Sequence, residues 1–125
     1  MLYGNGTDIL KIDHLKPFMN QFDDPFIQKT YTKKELELIS SRPTPINSLA
    51  TRFAGKEAVF KCLGIHGNAI SLNEIEILEN EIGQPTVFLL GNAKLLAEQL
   101  GITNICISLS YDTDYAIAFA LAEKL

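Results

Sequence analysis

Apolar positions along the chain follow two periods. Leu49, Phe53, Phe60 and Leu63 recur at about 3.6 residues per turn and share one stripe of a helix, with Gly64 as a stop just past its end. Upstream, Ile12, Leu15, Phe18, Met19 and Phe22 also have helical spacing. Pro17 interrupts them, removing a donor and clashing with the preceding turn, which predicts a kink or two short pieces. Asp23-Asp24-Pro25 predicts a capped turn carrying Phe26 and Ile27. Thr32 followed by Glu35 has capping-box form and opens a helix with Leu36 and Ile39 inward. Residues 40–45, with Pro43 and Pro45 as breakers, read as a loop, so the long helix starts at Ile46 or Asn47.

Beyond Gly64 the period shortens to two. Ile75 and Ile77 alternate with Glu74 and Glu76, which predicts a strand with one wet face. Residues 80–85 read as a turn and 86–90 as the second strand of an antiparallel hairpin. A short helix over 93–100 uses Leu95, Leu96 and Leu100 and stops at Gly101. Residues 104–110 and 115–121 are two further strands. In the last, Tyr115, Ile117, Phe119 and Leu121 alternate with Ala116, Ala118 and Ala120, which predicts that both faces are covered, the alanine face by a closely packed helix or a neighbouring subunit. At the N-terminus, residues 7–10 look like the end of a strand running into a turn or helix. A strand, then helices, then β-β-α-β-β predicts an α+β fold with helices packed on a mostly antiparallel sheet.

Composition narrows the setting. At 125 residues and 13.9 kDa, residues 1–125 are expected to form a single domain. Apolar residues at 46% and charged residues at 21% describe a soluble globule. No apolar run approaches the roughly 20 residues of a membrane span, so no membrane association is expected. No basic region followed by an apolar stretch opens the chain, so no signal peptide is expected. Cys62 and Cys106 each sit in an apolar pattern and read as buried free thiols, which implies a reducing, cytoplasmic setting. A net charge of −4 argues against nucleic acid as a partner. Charge is nonetheless uneven. Through Lys61 there are nine basic and seven acidic residues, and from Cys62 onward two and eight, so the N-terminal half could dock an acidic partner.

Two charges break the long helix's pattern. Lys56 and Glu57 project within or beside the apolar arc, where an ionised group costs several kcal/mol unless a counter-charge or several donors meet it. Lys61 follows Glu57 by one turn, and the two read equally as a solvated surface pair. Asp8, in Gly4-Asn5-Gly6-Thr7-Asp8, is a second acid in a similar setting, though an aspartate at a strand end also serves as an N-cap. Two carboxylates from distant parts of the chain, with lysines beside them, suit Mg2+ bound to a phosphate. That ion takes one or two protein carboxylates, waters and substrate phosphate oxygens, and lysine is a point-charge partner for the rest of the phosphate.

These residues carry a resemblance. Gly6-Thr7-Asp8-Ile9 resembles the opening motif of the small 4′-phosphopantetheinyl transferases, of holo-acyl-carrier-protein synthase type. Arg52-Phe53-Ala54-Gly55-Lys56-Glu57-Ala58 with Lys61 resembles their second motif, Asn80-Glu81-Ile82-Gly83-Gln84-Pro85 their N-E-x-G-x-P turn, and Ile107-Ser108-Leu109-Ser110 their I-S-L-S segment. The resemblance implies the 4′-phosphopantetheinyl transferase fold and a homotrimer with sites between subunits. It also implies Mg2+-dependent transfer of the 4′-phosphopantetheine arm of coenzyme A to a serine of apo-acyl carrier protein, releasing adenosine 3′,5′-bisphosphate. Carried onto this sequence, Asp8 and Glu57 would hold the metal and Lys61 would neutralise phosphate charge. Arg52, Lys56 and Gly64 would line the nucleotide cleft, and Asn80, Gly83, Pro85, Ser108, Ser110 and Tyr111 would help hold adenosine and the 3′-phosphate. The serine proton would leave through water in the metal shell or through Glu57 acting via water.

The chain departs from the pattern in three places. Tyr111 stands where the family carries His, and tyrosine is no base near neutral pH. His14 stands where an Arg that meets the carrier protein is expected, and Ile65-His66-Gly67 replaces the usual Thr-Gly. Leu10 stands where larger relatives have a further acid, which leaves water to complete the metal shell. An alternative reading is a degenerate module that binds coenzyme A or the metal without transferring the arm.

Overall fold

In the computed structural model, which describes residues 1–65 and 67–125, one long helix lies between a sheet and a set of short helices. His66, part of the expected loop departure, lies outside the described residues. The chain runs β1 (Leu2–Lys11), 3-10 turns at Ile12–His14 and Lys16–Phe18, α1 (Pro25–Thr30), α2 (Lys33–Ser40) and α3 (Pro45–Cys62). A 3-10 turn at Leu72–Glu74 then leads to β2 (Ile75–Glu79), β3 (Pro85–Leu89), α4 (Gly91–Leu100), β4 (Ile102–Tyr111) and β5 (Tyr115–Lys124). One antiparallel sheet has the order β1-β5-β4, and β2 and β3 pair as a separate antiparallel hairpin. Among the described residues no helix is long and apolar enough to cross a membrane.

Local chemistry sets the boundaries. Pro17 does divide its segment into two short 3-10 turns. Asp24 caps α1 by accepting from the Phe26 amide at 2.8 Å, and Thr32 and Glu35 form a complete capping box on α2. α3 begins one residue earlier than expected, at Pro45, whose fixed φ suits a first helical turn. It ends at Leu63 and Gly64, the latter at φ +68°.

α3 is the hub. One core lies between it, the sheet and the β2–β3 hairpin, around Ala54, Ala58, Val59, Ile75 and Ile77. A second core, of Ile12, Leu15, Ile27, Ile39 and Leu49, joins it to the N-terminal helices. Ala116, Ala118, Ala120 and Ala122 are buried, and the helix, not a second subunit, covers this face of β5. The approach is close: a Cβ on Gly6 of β1 would lie 2.1 Å from the Ala58 carbonyl oxygen of α3. The opposite face of the sheet is bare in a single chain, with Ile9, Ile117 and Phe119 exposed, so only one of the two faces expected to be covered is covered.

Further expectations are corrected. α3 does not bury one stripe. Ala50, Ala54, Gly55, Lys56, Ala58, Val59 and Cys62 are all buried, while Phe53 and Phe60 are half-buried, because the helix is packed on several sides. Glu76 is not on a wet face: it is buried and accepts the Thr32 hydroxyl at 2.6 Å. Leu95 points outward, since small Ala93 and Ala97 form the inner face of α4. Cys62 and Cys106 are both free, but only Cys62 is buried; Cys106 lies on the bare face of β4.

Candidate active site

Asp8 lies within β1, paired in register with Ala118, so it caps no helix. Its Oδ1 accepts from Lys61 Nζ at 3.2 Å, and the same ammonium donates to the Thr7 carbonyl at 2.9 Å. Glu57 stands one turn before Lys61 on the same side of α3. Burial first, and the Asp8 carboxylate second, push the Glu57 carboxyl above its ordinary value, while Lys61 pulls it partly back. Asp8 thus acts electrostatically on Glu57, and Lys61, bonded to Asp8, acts on both. Beside Glu57 a depression of about 490 Å³ opens, lined also by Phe26, Lys29, Phe53 and Leu72.

Lys56 is elsewhere. The expectation that it lines a cleft is corrected: the side chain is fully buried, and its ammonium bonds Glu35 at 2.6 Å and the Leu72 and Ile75 carbonyls. Glu35 also accepts from the Thr32 and Ile77 amides, so the buried pair ties α2, α3 and β2 together with every polar atom satisfied. Burial pulls the Lys56 ammonium below its usual value, against the pull of Glu35. Neither residue faces solvent.

A second recess, of about 410 Å³, opens at the N-terminal end of α3. Arg52, Gly83, Pro85 and Tyr111, four of the residues expected to hold the nucleotide, all line it, and so do Arg42 and Glu79, which no motif marks. Arg52 donates to the Ile77 carbonyl at 3.3 Å and lies 3.8 Å from Glu79; Arg42 is bonded to Glu79 directly. Gly83, at φ +83°, makes the hairpin turn possible. Asn80 is consumed in building that turn: its Oδ1 accepts the Ile82 and Gln84 amides and its Nδ2 donates to Gln84. No spacing rule joins positions 42, 52 and 79. The only signal for Arg42 was a cation beside a proline-rich loop.

The structure does not bring all the predicted residues together in one chain. Arg52 and Glu57 are five positions apart on α3, hence about 140° apart around its axis, and face different sides. Ser108 and Ser110 lie on the bare sheet face, opposite α3, and Ser108 borders a third depression between β3 and β4. Tyr111 lines both the arginine recess and a shallow depression on the sheet face shared with Ile9, Ser110 and Ile117. Gly64 ends α3 at an open surface, and His14 is exposed in the turn after β1. Among the described residues there is no cluster of three or more His, Cys, Asp or Glu side chains that could hold a metal.

Residues 4–120 match the sequence profile of the 4′-phosphopantetheinyl transferase superfamily. The chain belongs to that superfamily. Among its relatives, the holo-[acyl-carrier-protein] synthase of Dehalococcoides mccartyi is 43% identical over 123 residues, 98% of this chain and 99% of that one. The enzyme of the same name from Caldanaerobacter subterraneus is 38% identical over 117 residues, 94% and 91% of the two chains. The crystal structure of holo-[acyl-carrier-protein] synthase from Neisseria meningitidis superposes with a TM-score of 0.86 at 35% identity, covering 99% of this chain and all of that one. The Helicobacter pylori synthase, solved in complex with coenzyme A, superposes at 0.81 with 26% identity, covering 95% and 99%. The α+β architecture, with α3 against an antiparallel sheet, is therefore that of the phosphopantetheinyl transferases.

Proposed function

We propose that the protein transfers the 4′-phosphopantetheine arm of coenzyme A to a serine hydroxyl of an apo-acyl carrier protein, releasing adenosine 3′,5′-bisphosphate, in a Mg2+-dependent site shared between copies of the chain. The observation that carries the reading is the Asp8–Glu57 pair. Burial first, and then the neighbouring Asp8 carboxylate, lift the Glu57 carboxyl, and Lys61 pulls it only partly back. Two carboxylates with excess negative charge fit a hard divalent cation, which completes its shell with water and phosphate oxygens. When bound, Mg2+ supplies a positive charge against the diphosphate.

The residues then have separate tasks. Asp8 and Glu57 hold the cation, and Lys61, half-exposed beside Asp8, meets the phosphate charge that develops as the bond to adenosine bisphosphate breaks. The serine oxygen forms the new P–O bond, and its proton leaves toward water on the Glu57 side. Arg42, Arg52, Gly83, Pro85 and Tyr111 take the adenosine and its 3′-phosphate. Arg52 and Glu57 face different sides of α3, which favours an arrangement in which the acid pair of one copy is completed by the recess of the next, in a homotrimer. Ser108 and Ser110 on the bare sheet face would meet that neighbour. His14, exposed just past the strand that bears Asp8, is assigned to carrier contact. A cytoplasmic location follows from the coenzyme A consumed.

The test is a mass measurement. Protein, Mg2+, coenzyme A and an apo-carrier should yield carrier heavier by one phosphopantetheine. Coenzyme A binding with no mass gain across a panel of carriers would make the protein a binding module and overturn the proposal.

A further inference from the structure

The arginine recess holds an anion of its own. It lies at the N-terminal end of the 18-residue α3, whose first turn has no acidic residue and no side-chain cap from Thr44, so helix amides and two guanidinium groups point positive charge into one place. Arg52 is nearly buried, with a side chain 7% exposed, and a desolvated guanidinium requires a counter-charge. Among the described residues lining the recess, Glu79 is the one carboxylate. It is the last residue of β2, is paired with Arg42, and its side chain is 26% exposed.

We infer that Glu79 is a built-in competitor for the phosphomonoester of the coenzyme: its carboxylate occupies Arg42 and Arg52 in the empty protein, yields them to the incoming phosphate, and reclaims them as the adenosine bisphosphate product leaves. This rests on the reading given under Proposed function. A phosphate dianion offers more charge and more acceptor oxygens than a carboxylate to a guanidinium fork, so it wins the exchange, but only by the difference. A ligand lacking the phosphate has no exchange to make. Glu79 therefore lowers the affinity only for ligands that carry the 3′-phosphate, and speeds release of the spent nucleotide.

The experiment compares wild-type, Glu79→Gln and Glu79→Ala proteins. Steady-state transfer is measured with coenzyme A and with 3′-dephospho-coenzyme A, and binding of adenosine 3′,5′-bisphosphate and adenosine 5′-monophosphate is measured by calorimetry. Both variants should lower KM for coenzyme A and Kd for the bisphosphate about three- to tenfold, leaving the dephospho ligands within twofold of wild type (~2). Equal changes for both ligand pairs, or weaker bisphosphate binding, would overturn the inference, since Glu79 would then be ordering the arginines. Calorimetry needs no turnover, so absence of transfer in the wild type would count against the functional reading and leave this inference separately decided.

Discussion

The charge on Glu57 ties stability to function. Its native carboxyl holds a proton more tightly than the unfolded chain does, owing to burial and then to Asp8. The metal-free protein therefore carries a penalty that is absent below the ordinary glutamate value and complete above the raised native one, so its stability falls as pH rises between them. Glu57→Gln should raise the Tm of metal-free protein at neutral pH, with the gain vanishing in acid, while transfer is abolished. A lower Tm at pH 7 would contradict the sign. Mg2+ binding, followed by calorimetry, should weaken on acidification at a higher pH than an ordinary glutamate would dictate. Lys56 teaches a different lesson. Its position in the helix marked it as a charge needing a partner, but Glu35, which supplies one, lies 21 residues upstream in another helix. No local pattern reveals such a pairing, so the sequence alone does not separate a buried ion pair from a cleft lysine at this position. Lys56→Met leaves the Glu35 carboxylate buried without its counter-charge and should cost about 3–5 kcal/mol in urea unfolding.

At the scale of elements, the register of α3 on β1 carries Asp8 to Glu57. Gly6 permits it, because any side chain there meets the Ala58 carbonyl. Gly6→Ala must push strand and helix apart, at a cost of about 1–3 kcal/mol for overpacking. It should also lower kcat/KM, corrected for folded fraction, by more than tenfold (about 10²), because a misplacement of roughly 1 Å is felt at that level. Unchanged kcat/KM in the folded fraction would break the link between this packing and the acid pair. Elements of this kind were legible in the sequence because period and caps are local: Thr32–Glu35, Asp24 and Pro17 each act within a few residues. Burial was less legible. Glu76 is drawn inward by Thr32 from 44 positions away, and α3 is packed on several sides, so neither residue alternation nor a single apolar stripe describes what each side chain meets.

For the whole molecule the question is where the two halves of the site meet. Asp8, Glu57 and Lys61 were legible through their motifs, and Arg52, Gly83, Pro85 and Tyr111 do share a recess. Arg42 and Glu79 were not legible, because a charge cluster assembled from a loop, a helix and a strand end has no sequence period. The proposed homotrimer would set the acid pair of one copy against the recess of the next and would cover the exposed Ile9, Ile117 and Phe119 on the far face of the sheet. Phe119→Glu should therefore give smaller particles in sedimentation, fold retained by circular dichroism, and no transfer. Complementation decides whether the halves belong to different chains. Asp8→Asn chains keep an intact recess, and Arg52→Ala chains keep an intact acid pair. Each is expected to be inactive alone. Dissociated and reassembled together in equal amounts, a cyclic oligomer places an intact acid pair against an intact recess in about a quarter of its interfaces. Transfer should return to roughly a quarter of wild type. If both halves of each site came from one chain, every site in the mixture would carry a defect, and activity would stay at the level of the single variants.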